Sequence, residues 1–308
     1  MKKRIVFITH SYHKKTKSVD FFKKILEKEF ELIVFFDESW QGKPYIDFKK
    51  INKLDPSQVI FLQQIPNLEF LKDLKCKNII FIPMYDNDAG KGVDYWRSFS
   101  SFNPKVICFA KKLYDRVKQA GLESYYIQYF LKPSEEKIDD HKGTSIFFWQ
   151  RINSINWNTV KKLIGSNRIK KVYFKKNIDP NNKLIIPDEE DIKKYNIQLF
   201  EGWLSTEDYL KKLRECNVFI APRTREGIGM AYLEAMANGL CVVAHDDATA
   251  NEYIESGKNG ILFNANNPKE INLNNVDEIG KNAHLYIKEG YDNWLRDREK
   301  IMDLLRKI

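Results

Sequence analysis

Short apolar runs alternate with longer segments of helical period along almost the whole chain, the pattern of parallel sheets covered by helices. RIVFITH (4–10), ELIVFFD (31–37), QVIFLQQ (58–64), NIIFIPMYD (78–86), KVICFAK (105–111) and YYIQYF (125–130) read as six strands. Their Val/Ile/Phe density suits strands buried on both faces. Between them, 18–29 reads as a helix with Val19, Phe22, Ile25 and Leu26 on one face, and 111–120 as a helix ending at Gly121. LKPSEEKIDDHKG (131–143) has acidic and proline breakers and no apolar period, and is expected to be an interdomain linker. The pattern then restarts: strands at 144–150, 170–176, 197–203, 217–222 and 240–245, with helices at 156–165, 205–215 and 229–238. A tail from about 281 to 308 is helical, with an apolar face through Tyr291, Trp294, Leu295, Met302 and Leu305. The expected architecture is α/β, two Rossmann-like domains facing across a cleft. Residues 1–135 would form the first and 136–289 the second, with a final helix at 290–308 packing back on the first.

Composition narrows this picture. The 308 residues are 43% apolar, enough for two cores, and no run approaches the roughly 18 apolar residues of a membrane span. A cytoplasmic protein is expected. Cys76, Cys108, Cys216 and Cys241 form no CxxC pair, so neither a disulfide nor a zinc site is expected. The net charge of +9 is uneven: residues 1–140 hold 25 basic and 19 acidic side chains, a surplus of six. Lys14, Lys15, Lys17, Lys23, Lys24 and Lys28 crowd one loop and one helix. They are either a solvated helix face or a surface for an anionic partner, a membrane leaflet or a nucleic acid. No nucleic-acid recognition motif accompanies the charge, so no nucleic acid is expected.

The stretch that carries chemistry is 202–263. It runs from a strand through Pro222, a loop with Arg223 and Arg225, and Glu226-Gly227-Ile228-Gly229, into a helix bearing Glu234, then Asn238-Gly239 and another buried strand. In open α/β sheets ligands bind beyond the carboxyl ends of the strands. The glycines let the backbone approach a ligand, and the helix N-terminus offers unpaired N–H groups to an anion. A carboxylate there suits sugar hydroxyls or positive charge developing on a sugar ring. Glu234, about two turns on, is spaced to reach another part of an elongated ligand. No GxGxxG follows either first strand, and there is no P-loop.

These residues resemble the retaining glycosyltransferases of GT-B fold, family 4. The match lies in a Glu-x7-Glu signature, Glu226 to Glu234, framed by Pro222, Gly227, Gly229, Leu233-Glu234-Ala235-Met236-Ala237, Gly239 and Asn259-Gly260. The resemblance implies that Glu226 contacts the donor sugar, that Glu234 binds the ribose hydroxyls, and that backbone amides from Gly227 through Ile228 and Gly229 to Met230 face the sugar and diphosphate. It also implies a cation at the end of the second domain's first strand, here Arg151, to neutralise the leaving diphosphate without a metal or other cofactor. Trp203 and Leu204 stand where family members contact the nucleobase.

The chain departs from the family at three points. The lysine usually found five residues after the arginine is replaced by Asn156, so a second cation is expected from Arg223, Arg225, Lys175 or Lys176. The first loop, His10 to Lys15, lacks the usual Gly-Gly pair. The fourth strand ends in Tyr85-Asp86-Asn87-Asp88 rather than a histidine, and His10, His13 and Asp86 are the acceptor-side or cleft candidates. The function implied is transfer of a sugar, with retention, from a nucleotide sugar to a glycan or lipid-linked acceptor. The expected setting is bacterial surface polysaccharide synthesis, such as capsule or lipopolysaccharide, at the inner face of the membrane. The alternatives are a non-catalytic nucleotide-sugar-binding protein and a basic nucleic-acid-binding module.

Overall fold

The computed structural model describes residues 2–135, 141–202 and 204–307. The chain divides into two compact units, Met1–Tyr129 with Asn293–Ile308, and Phe130–Asp292.

The N-terminal unit is built on a six-stranded parallel sheet of order β2-β1-β3-β4-β5-β6. Its strands are β1 Arg4–His10, β2 Glu31–Asp37, β3 Gln58–Leu62, β4 Ile79–Ile82, β5 Lys105–Cys108 and β6 Ser124–Tyr126. Ile5 to Ile8 and Val59 to Leu62 are wholly buried, as strands covered on both faces require. β4 is shorter than the apolar run predicts. Pro83 cannot donate to the ladder, and Tyr85–Asp88 turns into a short helix instead. The YYIQYF run likewise pairs only through Tyr126.

The C-terminal unit repeats the plan with order β12-β11-β10-β7-β8-β9. Here β7 is Thr144–Trp149, β8 Ile169–Lys175, β9 Ile197–Phe200, β10 Val218–Ile220, β11 Cys241–His245 and β12 Ile261–Phe263. The helices that shape its site are α1 Trp157–Ile164, α2 Thr206–Arg214 and α3 Met230–Ala237. The chain runs outward from β7 to β9, then returns to the other side of β7 at β10. The β7/β10 boundary is therefore a topological switch point, where loops diverge and leave a crevice.

The last helix, α4 Val276–Arg306, belongs to the C-terminal unit up to Asp292 and to the N-terminal unit beyond it. Gly280 lets it approach a turn closely, since a Cβ there would lie 2.0 Å from the Gly239 carbonyl oxygen. In the N-terminal unit, Trp294, Ile301, Met302 and Leu305 are buried, and Gln58 Nε2 donates to the Leu305 carbonyl at 2.6 Å. Among the described residues no helix is long and apolar enough to cross a membrane.

Candidate functional site

The predicted chemistry converges at the β7/β10 switch point. Arg151 lies two residues beyond β7, and Arg223 three beyond β10. Both point at Asp179, in the loop after β8. Arg151 donates through Nε and Nη2 to Asp179 Oδ1 at 2.9 and 2.8 Å. Arg223 donates through the same pair of nitrogens to Asp179 Oδ2 at 2.8 and 2.6 Å. Arg223 Nη1 lies 3.7 Å from Glu226 Oε2, so the bridge continues to the first glutamate of the signature.

Lys175, the last residue of β8, completes the cationic group. It is 5% exposed, and its ammonium lies 4.2 Å from the centre of the Trp149 ring, on which Arg151 also stacks at 4.6 Å. Burial, reinforced by the Arg151 charge, lowers the Lys175 pKa from its ordinary value. An aromatic face is an apt support for two like charges, because its quadrupole attracts both.

Glycine is obligatory at the start of α3. Gly229 has φ +89°, and a Cβ there would fall 1.9 Å from the Tyr232 ring. That ring is fixed by its hydroxyl, which donates to the Ile228 carbonyl at 2.8 Å and lies 2.7 Å from Thr249 Oγ1. The turn thus directs the Met230 end of α3, with its unpaired N–H groups and partial positive charge, toward the ends of the strands. Gly227 and Ile228 are buried within it. Farther along α3, the Glu234 carboxylate accepts a hydrogen bond from the Tyr209 hydroxyl on α2. Burial raises the Glu234 pKa above the usual carboxylate value, and the Tyr209 bond opposes this. Tyr209 packs edge-on against Phe147, with Lys175 5.9 Å from its ring centre.

The sequence therefore predicted Arg151, Lys175, Arg223, Glu226, Glu234 and the Gly227–Met230 turn, and the structure brings them together. Two candidate cations lie elsewhere. Arg225 is exposed and pairs with Asp247 at 3.3 Å, and Lys176 pairs with Glu201 at 3.3 Å. Leu204 lies just before α2, whereas Trp203 falls outside the described residues. Asn156, in the place of the family lysine, caps α1: its side chain accepts from the backbone N–H groups of Asn158 and Thr159 at 2.9 and 3.3 Å. Asp179 and Tyr209 were missed. Asp179 sits in Asn177-Ile178-Asp179-Pro180-Asn181-Asn182, which reads only as a turn. Tyr209 reads as one more apolar residue of a helix.

The acceptor-side candidates lie in the N-terminal unit. His10 ends β1 and His13 follows it, at that sheet's own β1/β3 switch point. His10 stacks on Trp40 at 4.9 Å, and its Nδ1 accepts from the Tyr12 backbone at 3.0 Å. His13 Nδ1 and Thr9 Oγ1 share a hydrogen bond of 2.6 Å, and its ring also meets Gln63. Burial, with the His10 charge, pushes the His13 pKa down to about 4. Asp86 accepts from the adjacent Asn87 N–H at 3.1 Å, as a turn residue does. Its neighbour Asp88 is 1% exposed with Oδ2 unpartnered, and burial raises its pKa to about 7.

Comparison with known proteins agrees with this geometry. Residues 167–285 match the family model described as glycosyl transferases group 1. An uncharacterised glycosyltransferase of Methanocaldococcus jannaschii, MJ1069, is 28% identical over 195 residues, 56% of this chain and 50% of that protein. The alpha-monoglucosyldiacylglycerol synthase of Acholeplasma laidlawii is 33% identical over 86 residues, 24% of this chain and 22% of that enzyme. The chain's matches thus span half or less of these relatives. Among solved structures, HepE of Anabaena in complex with UDP superposes with a TM-score of 0.65 at 14% identity, covering 99% of this chain and 100% of that one. Sucrose-phosphate synthase of Thermosynechococcus elongatus gives 0.64 at 12% identity, covering 99% of each chain. The chain therefore has a GT-B fold of two parallel α/β units, and its residues 167–285 are similar to the glycosyl transferases of group 1.

Proposed function

We propose that the protein is a metal-independent hexosyltransferase that moves a sugar from a nucleoside diphosphate sugar to a glycan or lipid-linked acceptor with retention of anomeric configuration. One observation carries the reading. Three cations, Arg151, Arg223 and Lys175, gather at a switch point beside a glycine-led helix start, with the Glu226 and Glu234 carboxylates on the same helix and its leading loop. A diphosphate gains charge as it leaves, and preorganised guanidinium donors stabilise that charge more than they stabilise the ground state. These side chains give the leaving group the neutralisation that a metal supplies in other transferases. Glu226 would hold sugar hydroxyls next to the diphosphate, and Glu234 the ribose. In a same-face reaction the leaving phosphate takes the proton of the incoming hydroxyl, so the protein positions the reactants and supplies charge.

The names of the relatives support the same reading. HepE is solved with UDP and with UDP-glucose, and the Acholeplasma enzyme is named for a glycolipid product. A role in surface polysaccharide synthesis, with the basic N-terminal unit resting on an anionic cytoplasmic leaflet, fits the lysine surplus. A thermal-shift screen against UDP-, GDP-, ADP- and CDP-sugars tests the donor, because a ligand of the native state raises its apparent stability. Glu226→Ala is expected to abolish transfer in a folded protein, and Glu234→Ala to weaken nucleotide binding. No shift with any nucleotide sugar, or full activity in both variants, removes the proposal. A second reading, nucleotide-sugar binding without turnover, draws on the use of Asn156 as a helix cap. Donor cleavage by the wild type excludes it.

A further inference from the structure

Asp179 has more hydrogen-bond donors on it than a turn residue needs. Each of its oxygens receives two N–H groups from one arginine, and the two arginines arrive from neighbouring strands. Its loop is pinned at several points. The Asp179 backbone N–H donates to the Arg151 carbonyl at 2.9 Å. Gln150 Nε2 donates to the Lys183 carbonyl at 2.8 Å, and its Oε1 accepts from Ile185 N–H at 3.1 Å. Asn153 and Asn182 cross-link the same two segments at 2.9 and 2.6 Å through Asn153 N–H to Asn182 and Lys183 N–H to Asn153. The loop that carries Asp179 is therefore fixed to the end of β7 by bonds that do not involve either arginine side chain.

We propose that Asp179 is a positioning residue that sets Arg151 and Arg223 side by side as the cation pair for the diphosphate, with Arg223 taking the role of the lysine absent at position 156. The proposal rests on the nucleotide-sugar reading above. Three positive groups confined to one crevice repel one another, and at Lys175 the Arg151 charge adds to burial, the larger cause, in lowering the pKa. A carboxylate between the guanidiniums offsets that repulsion and fixes the direction of each planar fork. It engages two of the five N–H donors of Arg151 and leaves the remainder for an incoming anion. The other cations near this loop are committed elsewhere, Arg225 to Asp247 and Lys176 to Glu201. Arg223 is also the member of the pair that reaches Glu226, so the bridge registers diphosphate and sugar contacts to each other.

A carboxylate beside a diphosphate opposes ground-state binding, whereas alignment of the guanidiniums helps the charge that develops on departure. Rate and affinity should therefore separate. The probes are inorganic pyrophosphate, titrated calorimetrically, and cleavage of UDP-glucose, GDP-mannose and ADP-glucose by the full-length protein. Arg151→Ala and Arg223→Ala are each expected to weaken pyrophosphate by about tenfold or more, with Arg223→Lys between, because a point charge replaces a fork. Asp179→Asn is expected to keep pyrophosphate affinity within about threefold of wild type or to improve it, while donor cleavage slows about tenfold or more. Asp179→Glu should recover part of that rate. Arg223→Ala binding pyrophosphate as wild type does, or Asp179→Asn losing rate and affinity together as a collapsed site would, overturns the inference and leaves the nucleotide-sugar reading standing. Wild-type protein that binds no pyrophosphate and cleaves no donor overturns both.

Discussion

At the scale of single residues, the site asks for side chains at odds with stability. Gly229 is one case. Placing alanine at φ +89° costs roughly 1–2 kcal/mol. The added Cβ must also displace a Tyr232 ring held by two hydrogen bonds. Gly229→Ala is expected to lose about 3 kcal/mol of stability, measured by denaturant titration. Glu234 is the second case. Burial places its folded-state pKa above the unfolded value, so the folded chain holds the proton more tightly, and stability falls as pH rises through that folded value. Glu234→Gln should therefore raise the Tm of the C-terminal unit at pH 8, with the gain vanishing toward pH 4, and should weaken nucleotide binding. A pH-independent Tm difference would contradict this. Both residues were legible because glycine and glutamate at fixed spacing are written in the sequence. Asp179 was not, since an aspartate in an Asn/Pro-rich turn looks the same whether or not two arginines converge on it.

At the scale of elements, apolar strands and helices of two turns or more were the legible part. β1 and β2 span the residues their apolar runs predict, and α2 and α3 lie within a residue of their predicted ends. Short helices such as Phe48–Lys53 and Glu189–Lys194 escaped notice, because fewer than two turns give no periodicity. Each is instead nucleated by a capping aspartate, Asp47 or Asp188. The same capping logic explains Asn156. Its side chain closes a capping box with Thr159 at the start of α1, a use that a lysine cannot serve. Asn156→Lys, which installs the lysine that the resembled glycosyltransferases usually have there, is expected to cost about 1 kcal/mol and to lower Tm by about 2–4 °C. If Arg223 already supplies the second cation, donor cleavage should not rise in that variant, and a marked gain in rate would argue against it.

At the scale of the whole molecule, the two-unit plan was legible because the strand and helix pattern restarts after residue 143. The unit boundaries differ from the predicted 135/136 and 289/290 by a few residues. Phe130 packs on Tyr253, Tyr286 and the backbone of Gly290, contacts that no breaker residue signals. Charge distribution is the other property of this scale. Lys14, Lys15, Lys17, Lys24 and Lys28 are exposed on the N-terminal unit, whereas Lys23 is drawn into a pair with Asp20 at 3.0 Å. Beside the first three stand Tyr12 and Trp40, 40% and 43% exposed, and the Trp40 indole N–H donates to Ser11 Oγ at 2.8 Å. Lysines near an anionic leaflet each contribute about 1 kcal/mol, and tyrosine and tryptophan settle at the headgroup level. Lys14→Ala, Lys15→Ala and Lys17→Ala together should then weaken co-sedimentation with phosphatidylserine vesicles about a hundredfold. Because the Debye length falls from about 10 Å at 0.1 M salt to about 3 Å at 1 M, high salt should reproduce the loss in the wild type. Nucleotide binding in the C-terminal unit should be unchanged in the triple variant. Equal binding to phosphatidylcholine and phosphatidylserine vesicles would return these lysines to the role of a solvated surface.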